Sequence, residues 1–394
     1  MRAMGGLGML STALASALAL TACGAASGKV TSASATHPRH STVATRSATP
    51  SALPTRSPTP AATHPATRPR RSHPGNPSGS AVVPAAARLV NTSHPTRVIG
   101  NGTPASCTSA AVVAAVAAGG IITFSCGPGP VTIAMQATAK VVNTSAEVVL
   151  DGGGKVTLSG GGVRRILYMD TCDPGQQWTT SHCQNQPEPQ LVVQNLTFTR
   201  GDSTGQTYDG GGGGAIFDRG GQLKVIDSSF LDNRCDSTGP DVGGAAIRAL
   251  SQYSNLPVYI VRSTFRGGVC SNGGALSSIG VSWVVLNSVM TGNQAVGWGA
   301  NPASSGSPGG GSGAAIYTDG DLYTLTVAGT VIRHNTAREG GGAIFFVSNN
   351  FTGTLRIQGS TLHDNPSEGF QTAGYPGIFF HGSGHPIVTG STIS

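Results

Sequence analysis

Arg333-His334 and His363-Asp364 are pairs whose side chains could do chemistry at a matched spacing, about thirty positions apart. Imidazole and carboxylate can accept a proton, and a guanidinium can hold a carboxylate while the carbon beside it is deprotonated. Asp364 could bring calcium to such an arrangement, because hard cations take oxygen ligands. These four are the candidate catalytic residues, and calcium is the one cofactor the elimination would use; otherwise none is expected. Arg266 and Thr291 hold the place of Arg333 in related phrases, and Asp232 holds that of His334. Solvated turn residues would give the same pattern, so both readings stand.

A second set keeps the same interval. Phe217, Arg248, Ser277, Tyr317, Phe345 and Phe379 each follow an aliphatic residue, namely Ile216, Ile247, Leu276, Ile316, Ile344 and Ile378. Neighbouring side chains of a strand point to opposite faces, so inward aliphatics put the following residues outside. With rungs about 4.8 Å apart, they would form one exterior column. Aromatics and an arginine along a ridge suit stacking on sugar rings and pairing with a uronate carboxylate. Phe217, Arg248, Tyr317, Phe345 and Phe379 are therefore the candidate ligand-binding residues. Loops crossing the column would instead turn it into a second small core. Asp209, Asp241 and Glu339 precede the glycine turns at unequal offsets, which disfavours a two-carboxylate hydrolytic pair. Neither a nucleophile triad nor a nucleotide fingerprint is present, and Asp151-Gly152-Gly153-Gly154 reads as a turn.

What would position these residues is a repeat. Gly340-Gly341-Gly342-Ala343-Ile344 recurs as Gly213-Gly214-Ala215-Ile216, Gly243-Gly244-Ala245-Ala246-Ile247, Gly273-Gly274-Ala275-Leu276 and Gly313-Ala314-Ala315-Ile316. A second phrase alternates with it: Ser229-Phe230-Leu231-Asp232-Asn233, Val289-Met290-Thr291-Gly292-Asn293, Val331-Ile332-Arg333-His334-Asn335 and Thr361-Leu362-His363-Asp364-Asn365. A unit of about thirty residues is too small to fold alone and buries its apolar face against its neighbours. Asn tolerates a left-handed backbone, so it is expected to mark the same tight corner in each unit. Short strands without helical periodicity predict an all-β parallel solenoid over residues 98–394. One helix is expected between Thr108 and Gly119, where it would cap the open end of the core.

Gly-Gly-Ala-Ile alternating with Ser/Thr-x-Phe-x-x-Asn resembles the repeats of the polymorphic outer-membrane protein type. Residues 98–394 are similar to bacterial right-handed parallel β-helix proteins of the pectate-lyase-like superfamily. The resemblance implies a single-stranded right-handed parallel β-helix at the cell surface, with polysaccharide or a surface partner as ligand. It specifies architecture more than activity, since this fold hosts lyases, hydrolases, epimerases and adhesins. The Asn-Thr-Asp, Asp-Asp and Gly-His-Gly signatures of its lyases and polygalacturonases do not occur. The C-terminal membrane barrel of the polymorphic proteins has no counterpart, and Ser391-Thr392-Ile393-Ser394 falls in the middle of a phrase.

Residues 1–23 read as an export signal, an apolar run from Leu7 to Leu20 followed by Leu20-Thr21-Ala22-Cys23. This resembles a bacterial lipoprotein signal, which implies lipidation of Cys23 and a membrane anchor; an ordinary secretory signal is the alternative. Residues 24–97 are rich in Thr, Ser, Pro and Ala and are expected to be a disordered basic tether. Ten of the 24 Lys and Arg lie before residue 98, leaving 14 against 17 Asp and Glu, so the remainder is about −3. The basic balance thus belongs to the tether, and nothing in 98–394 supports nucleic-acid binding. Without Cys23, six cysteines remain; local spacing suggests Cys107–Cys126, Cys172–Cys183 and Cys235–Cys270 among fifteen possible pairings. No Cys-x-x-Cys or paired His accompanies them, so no metal site is expected. The expected function is binding of polysaccharide or a surface partner without catalysis, outside the cell. The alternatives are a uronate lyase acting by β-elimination and a structural envelope protein.

Overall fold

The computed structural model describes residues 73–300 and 306–394. The export signal, Cys23 and the tether as far as residue 72 lie outside the described residues.

The described chain is all-β, and its strand ladders are parallel. Three sheets contain 17, 8 and 3 strands. A typical repeat gives Ile344–Ser348 to the eight-stranded sheet, then Thr354–Gln358 and Thr361–His363 to the largest one. The next repeat returns to the eight-stranded sheet with Ile378–His381. This cyclic order is compatible with a parallel β-helix solenoid. The aliphatic residues of the glycine phrase stand in register from rung to rung, Ile216↔Ile247↔Leu276↔Ile316↔Ile344↔Ile378. All six are fully buried. Phe198, Phe230 and Phe265 stack beside them with ring centroids 5.0 and 4.8 Å apart. That is the spacing of neighbouring strands, so the rings are parallel because the backbones are.

Two polar ladders run along the corners. The side chains of Ser228, Ser263, Ser288, Thr330 and Ser360 are buried, and each hydroxyl accepts from the backbone N–H one rung earlier at 3.1–3.3 Å. The second ladder corrects an expectation. The left-handed residue is not the recurring Asn but the one before it: Asp232, Gly267, Gly292, His334 and Asp364 have φ of 54, 67, 65, 54 and 53°. The Asn turns inward instead and is buried. Asn293 Nδ2 donates to Asn335 Oδ1 and Asn335 Nδ2 to Asn365 Oδ1, both at 2.8 Å. Buried backbone groups at a corner cannot reach water, and these amides satisfy them.

The helix Ser109–Ala118 has the Thr108 hydroxyl accepting from Ala111 N at its start and Gly119 at φ 68° at its end. Val112 and Val116 are buried in the main core. The disulfides join Cys107 to Cys126, Cys172 to Cys183 and Cys235 to Cys270. The Asp151–Gly154 turn lies inside one long strand, Glu147–Ser159, whose register shifts between Asp151 and Val156. Gly153 and Gly154, at φ 56 and 67°, absorb the bend without ending the strand.

The tether boundary also moves. Residues 73–97 lie along the large sheet, with Ala87 fully buried against Ile226, Val261, Leu286 and Ala328. Asn76 N donates to Asn287 O, Thr92 Oγ1 to Asp151 Oδ2 and Thr96 N to Ile121 O. Polar, Pro-rich composition concealed this because the segment contributes backbone groups and small side chains, while the sheet supplies the apolar stripe.

Candidate functional site

The aromatic column exists as a register but not as a ridge. Phe217, Arg248, Ser277, Tyr317, Phe345 and Phe379 are successive partners across the eight-stranded sheet. Phe217, Arg248 and Ser277 are fully buried, Tyr317 is 6 % exposed, and only Phe345 and Phe379 are half-buried. Tyr168 stacks on Phe217 at 5.4 Å, and the Arg165 guanidinium lies 4.9 Å from the same ring. Arg165 also donates to the carbonyls of Gly212 and Gly213. Its burial lowers its pKa to about 10. Arg248 donates to Ser277 Oγ at 2.8 Å and lies against Gly210 and Gly243, so the glycine turns cover this stretch. The Tyr317 hydroxyl is held neutral, chiefly by burial.

The exposed end offers little to a sugar ring. Tyr317 and Phe345 stack at 5.0 Å with planes 1° apart, and Phe345 and Phe379 at 5.1 Å. Phe370 closes the side, edge-on to Phe379 at 4.8 Å. The ring faces are spent on one another, so the expectation of a sugar-stacking ridge is corrected: the column is an outer core layer. Glu339 is buried as well, with Oε1 accepting from the backbone N–H groups of Gly299 and Ala300, a loop anchor.

The corner residues do come together in the open. Arg333 pairs in register with His363, and Thr291 with Arg333. Asp364 Oδ2 lies 2.8 Å from His363 Nδ1 and 3.7 Å from His334 Nδ1, and the two imidazoles meet edge to face at 5.4 Å. Side-chain exposures are 56 % for His334, 30 % for His363 and 68 % for Asp364. The His363 hydrogen bond, foremost, holds the Asp364 carboxyl below its ordinary value. An imidazole oriented by a carboxylate is a competent proton acceptor, and the same three side chains are a ligand set for a metal ion. The expectation of no metal site followed from the cysteines and their spacing; His334 stands one repeat before the adjacent His363 and Asp364, and the register brings the three together.

A third place was not foreseen. Asn143, Thr144, Trp178, Gln186, Pro187 and Glu188 line a concavity of about 320 Å³. Trp178 is 45 % exposed. It lies between the joined cysteines of the Cys172–Cys183 loop. Asn143, 3 % exposed, donates through Nδ2 to the carbonyls of Trp178 and Asp173 at 2.6 and 3.3 Å, fixing the loop. Among the described residues, no donor reaches its buried Oδ1. The available signal was a tryptophan among glutamines inside a closely spaced cysteine pair.

No family model matches this chain, and neither a curated protein nor a solved structure matches it.

Proposed function

We propose that this is an exported cell-surface protein that binds polysaccharide, with the Trp178 concavity as a saccharide subsite. The fold behind that reading is a single right-handed parallel β-helix of the pectate-lyase-like superfamily, its first rung capped by the helix Ser109–Ala118. The thirty-residue registers and the repeat phrases support it. Three disulfides fit an oxidising, non-cytoplasmic compartment, and the Leu-Thr-Ala-Cys signal supports a lipid anchor at Cys23. Among the described residues, no helix is long and apolar enough to cross a membrane.

The observation that carries the binding reading is the half-exposed Trp178 indole beside Asn143, Gln186 and Glu188. An indole face covers the apolar side of a sugar ring, while amides and a carboxylate take its hydroxyls. The test is calorimetric titration of the full chain with polygalacturonate, alginate and a neutral glucan. Trp178→Ala should weaken binding by about tenfold or more, roughly 1.4 kcal/mol. Phe379→Ala should leave it unchanged. Equal binding by Trp178→Ala sinks the subsite; no binding to any polysaccharide sinks the function.

A lyase is the second reading, favoured by the hydrogen-bonded His363–Asp364 pair in register with Arg333. It requires ultraviolet absorbance of an unsaturated uronate to appear with polygalacturonate and calcium, and to vanish in His363→Ala.

A further inference from the structure

We propose that His334, His363 and Asp364 bind a divalent transition metal of the zinc type. One ligand atom from each lies within 4.8 Å of the other two. Zinc bonds of about 2.0–2.1 Å place neighbouring corners of a tetrahedron about 3.3 Å apart. The separations from Asp364 Oδ2 to the two Nδ1 atoms, 2.8 and 3.7 Å, bracket that value. Side-chain rotations that shorten the longer separations, up to 4.8 Å, would close the site.

The backbone beneath it is already set. His334 and Asp364 both stand at the left-handed corner position. Asn335 Nδ2 donates to Arg333 O and Asn365 Nδ2 to His363 O, both at 2.9 Å, while Asn335 and Asn365 are bonded to each other. The buried Asn ladder thus holds the ligand-bearing corners one rung apart. Such support orients metal ligands and raises affinity.

Ligand type decides which ion. Two imidazoles and one carboxylate suit zinc, cobalt or nickel, whereas calcium takes six to eight oxygens. Three protein ligands leave a coordination position open. The rung before His334 carries Gly292, where a Cβ would meet nothing within 4 Å, so that side is unobstructed. Arg333, in register with His363, places a cation on the same edge. The fourth position thus fits water or an anionic group.

The experiment titrates the EDTA-stripped full chain with Zn²⁺ alone by calorimetry, and with Co²⁺ alone by visible absorption. One equivalent should bind at the cluster. His334→Asn with His363→Ala should lower the affinity of that equivalent by at least the roughly 10–100-fold that loss of a supporting partner costs. Asn is chosen at 334 because it tolerates the left-handed backbone. Asp364→Asn, a second variant that keeps the corner, should weaken binding in the same direction. His381→Ala and His385→Ala should leave it unchanged. Zinc bound equally by the wild type and both cluster variants would place it elsewhere on the chain and overturn the site. Calcium bound as tightly as zinc would overturn the metal class.

Discussion

Asn287 and Ala81 exchange two hydrogen bonds, Ala81 N to Asn287 Oδ1 and Asn287 Nδ2 to Ala81 O, each 2.8 Å long across 206 positions of chain. Gln194 does the same with Val90 at 3.0 Å. A side-chain amide presents one donor and one acceptor, so it imitates a strand edge for the incoming backbone. In this way residues 73–97 are tied across the rungs of the large sheet, covering Ile226, Val261 and Leu286. Replacing Asn287 by Gly suits its left-handed corner (φ 51°) and removes the side chain that carries the amide. Two lost hydrogen bonds should cost about 1–3 kcal/mol in denaturant unfolding, with earlier proteolytic cleavage between residues 73 and 90. Unchanged stability would mean that the segment merely rests on the sheet.

The Asn ladder should be worth more than its exposed neighbours. Asn335 is fully buried, accepts from Asn293 and donates to Asn365 and Met290 O. Asn335→Ala strands several buried polar groups at once, so a loss of about 3 kcal/mol is expected by equilibrium unfolding. Arg333→Ala, at an exposed position two residues earlier, should change stability by less than about 0.5 kcal/mol.

Asp218 supplies a pH dependence. Its carboxyl is fully buried, accepts from Gln252 Nε2 at 2.7 Å, and titrates well above the ordinary value, chiefly because burial disfavours the charged form. A raised folded-state pKa means that the folded chain holds its proton longer. The contribution is complete below the unfolded value, about pH 4. It is lost as pH rises through the folded one. Asp218→Asn should remove that slope. The stability difference between variant and wild type should shift in favour of the variant from about pH 4 towards neutrality. A difference that stays flat with pH would contradict the assignment.

Gly340 reports on the aromatic wall. A Cβ there would come within 2.3 Å of the Phe370 ring. Gly340→Ala must therefore displace Phe370 from Phe345 and Phe379. A destabilisation of about 1–3 kcal/mol is expected from overpacking. Gly340→Ala with Phe370→Ala should recover part of it if the clash is the cause.

The thirty-residue beat was legible because inward positions cannot vary freely: Ile247, Leu276, Ile316 and Ile344 sit on one another in turn, so each selects a similar neighbour. The corner set was legible for the same reason, since Arg333 and His363 share a register position. The Asn ladder was visible as a recurring letter, but its role was misread. Propensity points to Asn as the left-handed residue, whereas tertiary hydrogen bonding draws it inward and hands the strained conformation to His334 and Asp364.

By itself, the sequence determined which side chains are vertical neighbours, because that follows from a period that the backbone must repeat; for the cysteines, local spacing suggested the pairs that the structure joins. Only the tertiary structure decided what is exposed. Phe217 lies under Tyr168 and Arg165, Arg248 lies against Gly210 and Gly243, and Ala81 and Asn287 meet across 206 positions of chain. Trp178 reaches its concavity through a loop belonging to a single rung. Exposure depends on everything that crosses a residue, and no spacing along the chain records that.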